Sequence, residues 1–230
     1  MIVYFCSEDK STLVQPPQSV LQYLSIDAEN VYDKLIIKCP AVTELYKNIY
    51  AIYPTFDYRL VYDGKQVRSD MYDQQFFDSS VLVRNDSNPD FCFLSYTDPP
   101  ICFFTEEKTL LMQTMPACNH FTNSDTLFLM GSYDVGKHLR KIEAPIVLKK
   151  DTIFEVNRTS PLFYAKFNTD EKITFKRFVY TSELWDLVNS VLIMRKFTNK
   201  NNKLDFFYDI VEKYNLKKKY IKLIKENLID

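Results

Sequence analysis

The fold is decided by residues 131–167, GSYDVGKHLRKIEAPIVLKKDTIFEVNRTSPLFYAKF, which combine turn residues with short apolar runs. Gly131 and Gly136 are two of the three glycines of the chain. Glycine adopts the positive φ values that tight turns require, so both positions predict turns between strands. The apolar, β-branched run at residues 146–148 predicts one of those strands. This stretch therefore predicts a β-rich fold.

The same pattern extends in both directions from this stretch. Residues 152–156 and 162–167 alternate apolar and polar side chains and predict a hairpin closed by the turn between them. Asp63-Gly64 fits the positive φ values of a type I′ turn and predicts a second hairpin. The run ICFF at residues 101–104 is apolar on both faces, which predicts a central strand covered on both sides.

Turn residues recur about every 8 to 12 residues between short strands, a spacing typical of a sandwich, jelly roll or small barrel. Residues 31–37 and 76–83 are among the predicted strands, whereas AVTELYKN after Pro40 predicts a two-turn helix. Residues 1–181 are therefore interpreted as one β-rich domain of the sandwich or jelly-roll type.

The hydrophobic period changes after residue 181. Ser182 is a suitable helix cap, and the apolar residues that follow recur at helical spacing, which predicts an amphipathic helix packed on the sheet. Residues 198–203 predict a polar linker, and residues 204–214 and 216–229 predict further helices. Residues 182–230 are therefore interpreted as a helical extension, which makes the chain α+β overall.

Composition narrows the classes of function. The 29 Lys and Arg residues balance 30 Asp and Glu residues, so the net charge of -1 does not favour nucleic-acid binding. No window approaches the ~18 apolar residues of a membrane span, and no targeting segment is visible. Three glycines leave no glycine-rich phosphate loop. We therefore expect a globular protein that stays in the cytoplasm in which it is made.

The last helix is locally basic, with six lysines between residues 213 and 230 against Glu226 and Asp230. A basic amphipathic helix can lie on a membrane or on RNA. The alternative is a solvated lysine face on a packed helix, which the neutral charge of the whole chain favours. We expect no membrane partner.

The densest polar cluster lies after the predicted turn at Gly136. Asp134, Lys137, His138 and Arg140 predict an anion- or peptide-binding site, because the arginine fork suits carboxylate and phosphate groups. The alternative is structural, with Arg140 paired to Asp134 or Glu143 to hold the loop.

Catalytic motifs are missing from the sequence. His120 and His138 are its only histidines, and neither begins the HxD or HxE spacing of a two-histidine, one-carboxylate iron site. A metal site that uses both is the weaker alternative, and no cofactor is predicted. GxSxG, HExxH and zinc-type cysteine spacings are also missing. The five cysteines are interpreted as reduced, buried thiols, with a Cys–His nucleophile as the alternative.

Three segments carry a resemblance to a known family. They are residues 38–64, 132–148 and 160–178. The matching positions are Cys39, Pro40, Asn48, Pro54, Asp57, Asp134, Gly136, Lys137, Arg140, 161–164 and Phe167. The chain resembles a family of uncharacterised proteins encoded by tailed phages of marine bacteria and, more distantly, a bacterial domain of unknown function. The resemblance implies a viral origin and a compact β domain, but it assigns no catalytic residue.

Two functions from different classes follow. The first is a non-enzymatic binding or assembly protein of a phage, acting in the host cytoplasm or as part of the virion. Its 16 tyrosines and 18 phenylalanines are favoured interface anchors, so a protein partner or self-association is predicted. The alternative is a cupin- or jelly-roll-type enzyme that acts on a small molecule.

Overall fold

The computed structural model describes residues 1–7, 14–26, 38–84, 89–96, 101–117, 126–197 and 204–229. The predicted strand at residues 31–37 and the predicted linker at residues 198–203 lie outside these residues. The fold is mostly β, with several sheets and a helical part at the C-terminal end. The prediction of an α+β protein is therefore confirmed.

Fifteen strands are present in the part of the chain that the structure describes. They are β1 (Ile2–Ser7), β2 (Gln18–Ser19), β3 (Ile49–Ile52), β4 (Tyr58–Tyr62), β5 (Val67–Ser69), β6 (Val81–Arg84), β7 (Phe91–Tyr96), β8 (Phe103–Phe104), β9 (Leu111–Met115), β10 (Thr126–Phe128), β11 (Ser132–Asp134), β12 (Ala144–Lys149), β13 (Ile153–Val156), β14 (Phe163–Phe167) and β15 (Thr174–Val179). They form four sheets, with the strand orders β15-β1-β8, β10-β12-β7-β6, β11-β9-β14-β3-β2 and β13-β4-β5.

Six helices accompany these strands within the described residues. They are α1 (Val20–Ile26), α2 (Pro40–Tyr46), α3 (Gln74–Ser80), α4 (Ser182–Phe197), α5 (Leu204–Lys213) and α6 (Leu216–Glu226). The prediction of α2 is confirmed, and Pro40 occupies its first turn. Helix α4 begins at Ser182, but Thr181 is its cap, because the Thr181 hydroxyl accepts a hydrogen bond from the backbone N–H of Leu184 at 3.3 Å.

The sheet β15-β1-β8 separates two hydrophobic cores. Val3 and Phe5 of β1 point into the core that the other sheets share, whereas Tyr4 and Cys6 point into a second core. This second core contains nine buried residues from the C-terminal helices, namely Leu184, Val188, Val191, Phe207, Ile210, Val211, Leu216, Tyr220 and Ile224. Because strand side chains alternate between faces, one strand contributes to both cores. The C-terminal helices therefore pack on this sheet.

Strand β8 corrects the prediction of a central strand at residues 101–104. In the part of the chain that the structure describes, it pairs with β1 alone and lies at the edge of its sheet. Its sequence is apolar on both faces because each face is covered, Phe103 by the first core and Phe104 by the second. Burial on both faces, rather than pairing on both edges, explains the pattern.

Residues 76–83, predicted to be a strand, instead contain α3 followed by β6. The Asp73 side chain accepts a hydrogen bond from the backbone N–H of Phe76 at 2.8 Å and so caps the helix. Phe77 is buried in the first core, and Phe76 packs edge-on against Phe56. The cap and these contacts outweigh the β preference of the phenylalanines.

The predicted hairpin of residues 152–156 and 162–167 is also wrong. Strand β13 pairs with β4, whereas β14 pairs with β3 and β9. The prediction of a hairpin around Asp63-Gly64 is confirmed, since β4 pairs with β5 and Gly64 has a φ of 91°. Its loop runs from residue 63 to residue 66 and is longer than a two-residue type I′ turn.

Candidate functional site

The predicted binding cluster begins at Asp134, the last residue of β11. Its carboxylate is buried and accepts three hydrogen bonds. Thr109 donates its hydroxyl to Oδ2 at 2.6 Å, and the backbone N–H groups of Leu110 and Gly136 donate to Oδ1 at 3.0 and 3.1 Å. Asp134 therefore holds the turn after β11 against the start of β9, and these partners occupy both of its oxygens.

Glycine is needed at position 136 because another backbone segment lies close to its Cα atom, and not because of its φ angle. A Cβ atom at this position would lie 2.7 Å from the carbonyl oxygen of Glu107. Gly64 is the glycine with positive φ among the described residues, so the predicted positive φ at Gly131 and Gly136 is wrong. The physical reason for glycine at residue 136 is space for the neighbouring chain.

The C-terminal helices contact the same turn. The Tyr208 hydroxyl of α5 accepts a hydrogen bond from the backbone N–H of Asp134 at 3.0 Å. The Lys217 ammonium of α6 donates to the carbonyl oxygen of Gly136 at 2.7 Å and to that of Glu107. Lys137 lies 3.6 Å from the Asp134 carboxylate and 5.4 Å from the centre of the Tyr208 ring. The turn is thus a docking point for α5 and α6.

His138, predicted from the sequence to be part of an accessible binding site, is instead buried beneath the helices with 2% of its surface exposed. Its ring stacks on Phe207 with centroids 6.3 Å apart, and Tyr220 lies at 6.2 Å. Neither ring nitrogen has a hydrogen-bond partner among the described residues. Burial, with a smaller contribution from Arg140, lowers the pKa of His138 to about 3. The imidazole is therefore neutral at physiological pH.

Arg140 lies half-buried over the ring of Tyr133, with 5.1 Å between the guanidinium carbon and the ring centroid. Its Nε donates a hydrogen bond to the carbonyl oxygen of Lys141 at 3.3 Å. Among the described residues it forms no ion pair with Asp134 or Glu143, the partners that the sequence suggested. The structure thus brings Asp134 and Lys137 together, while His138 and Arg140 point into separate aromatic surroundings.

The weaker alternative of a metal site used His120 and His138. His120 lies outside the described residues. The described residues contain no group of three or more His, Cys, Asp or Glu side chains placed to hold a metal ion. The ring of His138 is enclosed by Phe207 and Tyr220 rather than directed to a cleft.

Cysteine reactivity is limited by burial. Cys6, Cys92 and Cys102 are buried and reduced, as predicted, whereas Cys39 is exposed and Cys118 lies outside the described residues. Burial raises the pKa of Cys92 to about 11 and raises that of Cys102 as well. These two thiols therefore stay protonated at neutral pH, whereas a nucleophilic cysteine requires a thiolate.

We expect His138 to make stability depend on pH. Its pKa is about 3 in the folded chain and ~6.5 when exposed, so the unfolded chain binds an extra proton between these values. The contribution is complete above pH 6.5 and falls as the pH falls, by about 2 kcal/mol at pH 5. Urea unfolding at pH 7.5 and pH 5 measures it.

His138→Phe is the matched control for this pH dependence, because phenylalanine fills the aromatic site without a titratable group. Carboxylates contribute equally in both proteins, so the difference between the two pH profiles isolates residue 138. Superimposable profiles for His138→Phe and the wild type would show that the imidazole is not kept neutral by burial.

A surface that the sequence analysis missed lies on the sheet β10-β12-β7-β6. Strand β12 alternates buried with partly or fully exposed residues, and the register places the outward residues of all four strands side by side. We call the apolar ones among them the outward sheet face, and they are Leu82, Phe91, Phe93, Leu127, Pro145 and Val147. Ser95, between Leu82 and Pro145 in register, is buried. Leu127 is 61% exposed, and Leu82 and Phe91 are each 40% exposed. The sequence signal for this face was the presence of apolar residues at both the inward and the outward positions of β7 and β12.

The charged residues within these four strands have one sign. Arg84 and Lys149 are the charged residues of the four strands, and both are exposed. Arg84 pairs in register with Phe93, and Lys149 pairs with Phe91. Within these four strands, the charges beside the apolar surface are therefore positive, while Asp90 and Glu143 lie one residue before β7 and β12.

The positions that carry the family resemblance have structural roles where their contacts are known. Asn48 has a φ of 54°, and its amide donates hydrogen bonds to the carbonyl oxygens of Thr169 and Glu171 at 2.6 and 3.0 Å. Asp57 accepts a hydrogen bond from the backbone N–H of Arg158 at 2.7 Å. The resemblance stays a prediction. No protein-family model matches the chain, and neither a curated protein nor a solved structure shows significant similarity to it.

Proposed function

We propose that the protein is a non-enzymatic binding or assembly protein that binds another protein through the outward sheet face. One observation carries the proposal, namely the continuous apolar row of Leu127, Val147 and Phe93 across three neighbouring strands. Exposed contiguous apolar surface is typical of interaction sites. Phenylalanine is also enriched at the centres of protein interfaces.

Charge specifies the partner. Arg84 and Lys149 border the face without an acidic residue on the same four strands, so the complementary surface has an apolar centre and an acidic border. Two copies that met through this face would bring like charges into one interface, which disfavours a homodimer. We therefore commit to a different, acidic protein as the partner, rather than to self-association.

The setting of this activity follows from the family resemblance. We propose a tailed-phage protein that acts in the host cytoplasm during assembly or is incorporated in the virion. A sandwich or jelly-roll arrangement of the sheets is part of the same proposal, since such domains are frequent in virions, although a fold alone does not fix a function. Within the described residues, no helix is long and apolar enough to cross a membrane.

The proposal is tested by capture on the immobilised full chain, compared across variants. A bound protein from host or phage lysate counts only if Phe93→Ser and Leu127→Ser abolish its binding. Ile153→Ser is the matched control, because Ile153 is 44% exposed but belongs to the sheet β13-β4-β5. Arg84→Glu with Lys149→Glu should slow association about tenfold, with the largest difference at low salt.

Three results would contradict the proposal, and two of them come from the variants. One is equal capture by wild type, Phe93→Ser and Ile153→Ser. The other is a concentration-dependent dimer in light scattering that Phe93→Ser dissociates, since this would assign the face to a second copy of the chain. The absence of any captured protein from lysates of infected hosts would also count against it.

Membrane or RNA binding by the basic helix α6 gains no support from its surroundings. Lys225 pairs with Glu106 at 2.8 Å, and Lys217 is bound to backbone carbonyl oxygens beside Gly136. Its buried face, with Tyr220 and Ile224, belongs to the second core. Together with Lys222, which lies 3.9 Å from Glu226, three of the five lysines of α6 make intramolecular contacts. This fits a packed helix with a solvated outer face.

A further inference from the structure

A groove of about 550 Å³ lies between helices α4 and α6. Leu187 of α4 and Leu223 of α6 are its apolar residues, and both are partly buried against the second core. Glu183 and Asp186 line the α4 side, whereas Lys219 and Lys222 line the α6 side. The groove is therefore apolar between two walls of opposite charge.

Both walls have the same spacing in sequence. Glu183, Asp186 and Leu187 occupy positions i, i+3 and i+4 of α4, and the three residues of α6 repeat this spacing with lysines in place of the acids. Residues at this spacing lie on one face of a helix. Each helix thus directs two charges of one sign and one leucine into the groove.

The opposite charges do not pair across the groove. Among the residues that the structure describes, neither acid of α4 forms an ion pair with Lys219 or Lys222. Lys222 instead lies 3.9 Å from Glu226 of its own helix. Charges of opposite sign that face each other without contact leave room for a ligand that has both signs.

We propose that this groove binds one amphipathic helix of a partner protein. The apolar edge of that helix lies on Leu187 and Leu223, its basic flank faces α4, and its acidic flank faces α6. Helices commonly recognise grooves through apolar residues at i, i+3, i+4 and i+7. This site uses other elements than the outward sheet face, so it is independent of the function proposed above.

The charges on the two walls of the groove also disfavour lipid and RNA as ligands. An anionic lipid surface or an RNA backbone would be attracted by Lys219 and Lys222 but repelled by Glu183 and Asp186 on the facing wall. A helix with one basic and one acidic flank satisfies both walls at once. Complementary flanks of this kind set partner choice and orientation in coiled coils.

The test uses a synthetic helical peptide of about 15 residues, with a leucine stripe, lysines on one flank and glutamates on the other, and a fluorophore for anisotropy. A second peptide has the same composition but scrambled charges. We expect the full-length chain to bind the patterned peptide at least about tenfold more tightly than the scrambled one. Asp186→Lys should remove most of that preference, whereas Glu212→Lys, an exposed change on α5, should retain it.

A charge exchange between the walls gives a sharper result. The exchange variant carries Glu183→Lys, Asp186→Lys, Lys219→Glu and Lys222→Glu. The same peptide should bind this variant with similar affinity but in the opposite direction, because reversing a helix in a groove exchanges its flanks. Trp185 is the single tryptophan of the chain and neighbours Asp186 in α4. Energy transfer from Trp185 to a dansyl group distinguishes the two ends of a peptide ~22 Å long.

A dansyl label at one end of the peptide should quench Trp185 more strongly than a label at the other end. We expect these two ends to exchange roles between the wild type and the exchange variant. Equal affinity for patterned and scrambled peptides would overturn the proposal, and so would no binding of either peptide. Binding of anionic vesicles or of single-stranded RNA that Lys219→Glu abolishes, without peptide preference, would assign the surface to lipid or RNA instead.

Discussion

Replacing Phe163 by alanine is expected to lower the free energy of unfolding by about 3 to 5 kcal/mol. Phe163 begins β14, the strand between β3 and β9, and its side chain is completely buried in the first core. Its ring stacks on Phe128 with centroids 5.9 Å apart. Because β3 and β9 are hydrogen-bonded to β14 on either side, the core has little freedom to collapse into the space left by the ring. Urea unfolding at neutral pH measures the loss.

Arg140→Ala is the matched surface change and should cost at most about 1 kcal/mol, the usual worth of a cation–π contact at a partly exposed site. Its guanidinium contacts Tyr133 and the carbonyl of Lys141, and the backbone around it is held by other residues. If Arg140→Ala proves as destabilising as Phe163→Ala, the arginine is a structural lock of the loop, contrary to the contacts described above.

Replacing Asp134 by alanine is expected to cost about 3 to 5 kcal/mol, as found when one partner of a buried polar cluster is removed. The change leaves the buried N–H groups of Leu110 and Gly136 without an acceptor and removes the partner of Lys137. Because Tyr208 binds the backbone of the same residue, the loss should extend to the docking of α5. Hydrogen exchange should therefore accelerate in α5 and α6 as well as in the turn.

Asp134→Asn separates the hydrogen bonds from the charge. Its amide oxygen can still accept from Leu110 and Gly136, so we expect less than half of the alanine effect. Equal destabilisation by the two substitutions would mean that the charge, through Lys137, dominates. Unchanged exchange in α5 and α6 after Asp134→Ala would show that the helices dock independently of this turn.

Local sequence signals predicted many of the strands and the C-terminal helices well. Pro40 starts α2, and the apolar, β-branched run at residues 146–148 lies within β12, because both signals act within the element itself. The pairing of strands could not be read in this way. Strand β13 lies next to β14 in sequence but pairs with β4, because register depends on which apolar faces meet in the core.

In the candidate site too, local signals were readable from the sequence, whereas long-range contacts were not. The polar residues after β11 looked accessible, since lysine and arginine surround His138 in the sequence. Burial of His138 is caused by Phe207 and Tyr220, which lie on helices about 70 to 80 residues further along the chain. Nothing in the local composition distinguishes a turn that displays its side chains from one that a distant helix covers. Apolar residues on both faces of a strand do not distinguish complete burial from an exposed apolar face, so the sequence alone does not reveal the outward sheet face.

The parallel pairing of β1 with β15 sets the order of events on the ribosome. Ile2 of β1 pairs with Thr174 of β15. At a synthesis rate of ~5 to 20 residues per second, β15 is therefore made roughly 10 to 30 s after β1. Throughout that wait one edge of β1 is unpaired, and its Tyr4 and Cys6 face is uncovered until α4, α5 and α6 emerge later still. Open apolar edges of this kind promote aggregation. A nascent chain that stalls before residue 174 is therefore the form of this protein most in need of a chaperone.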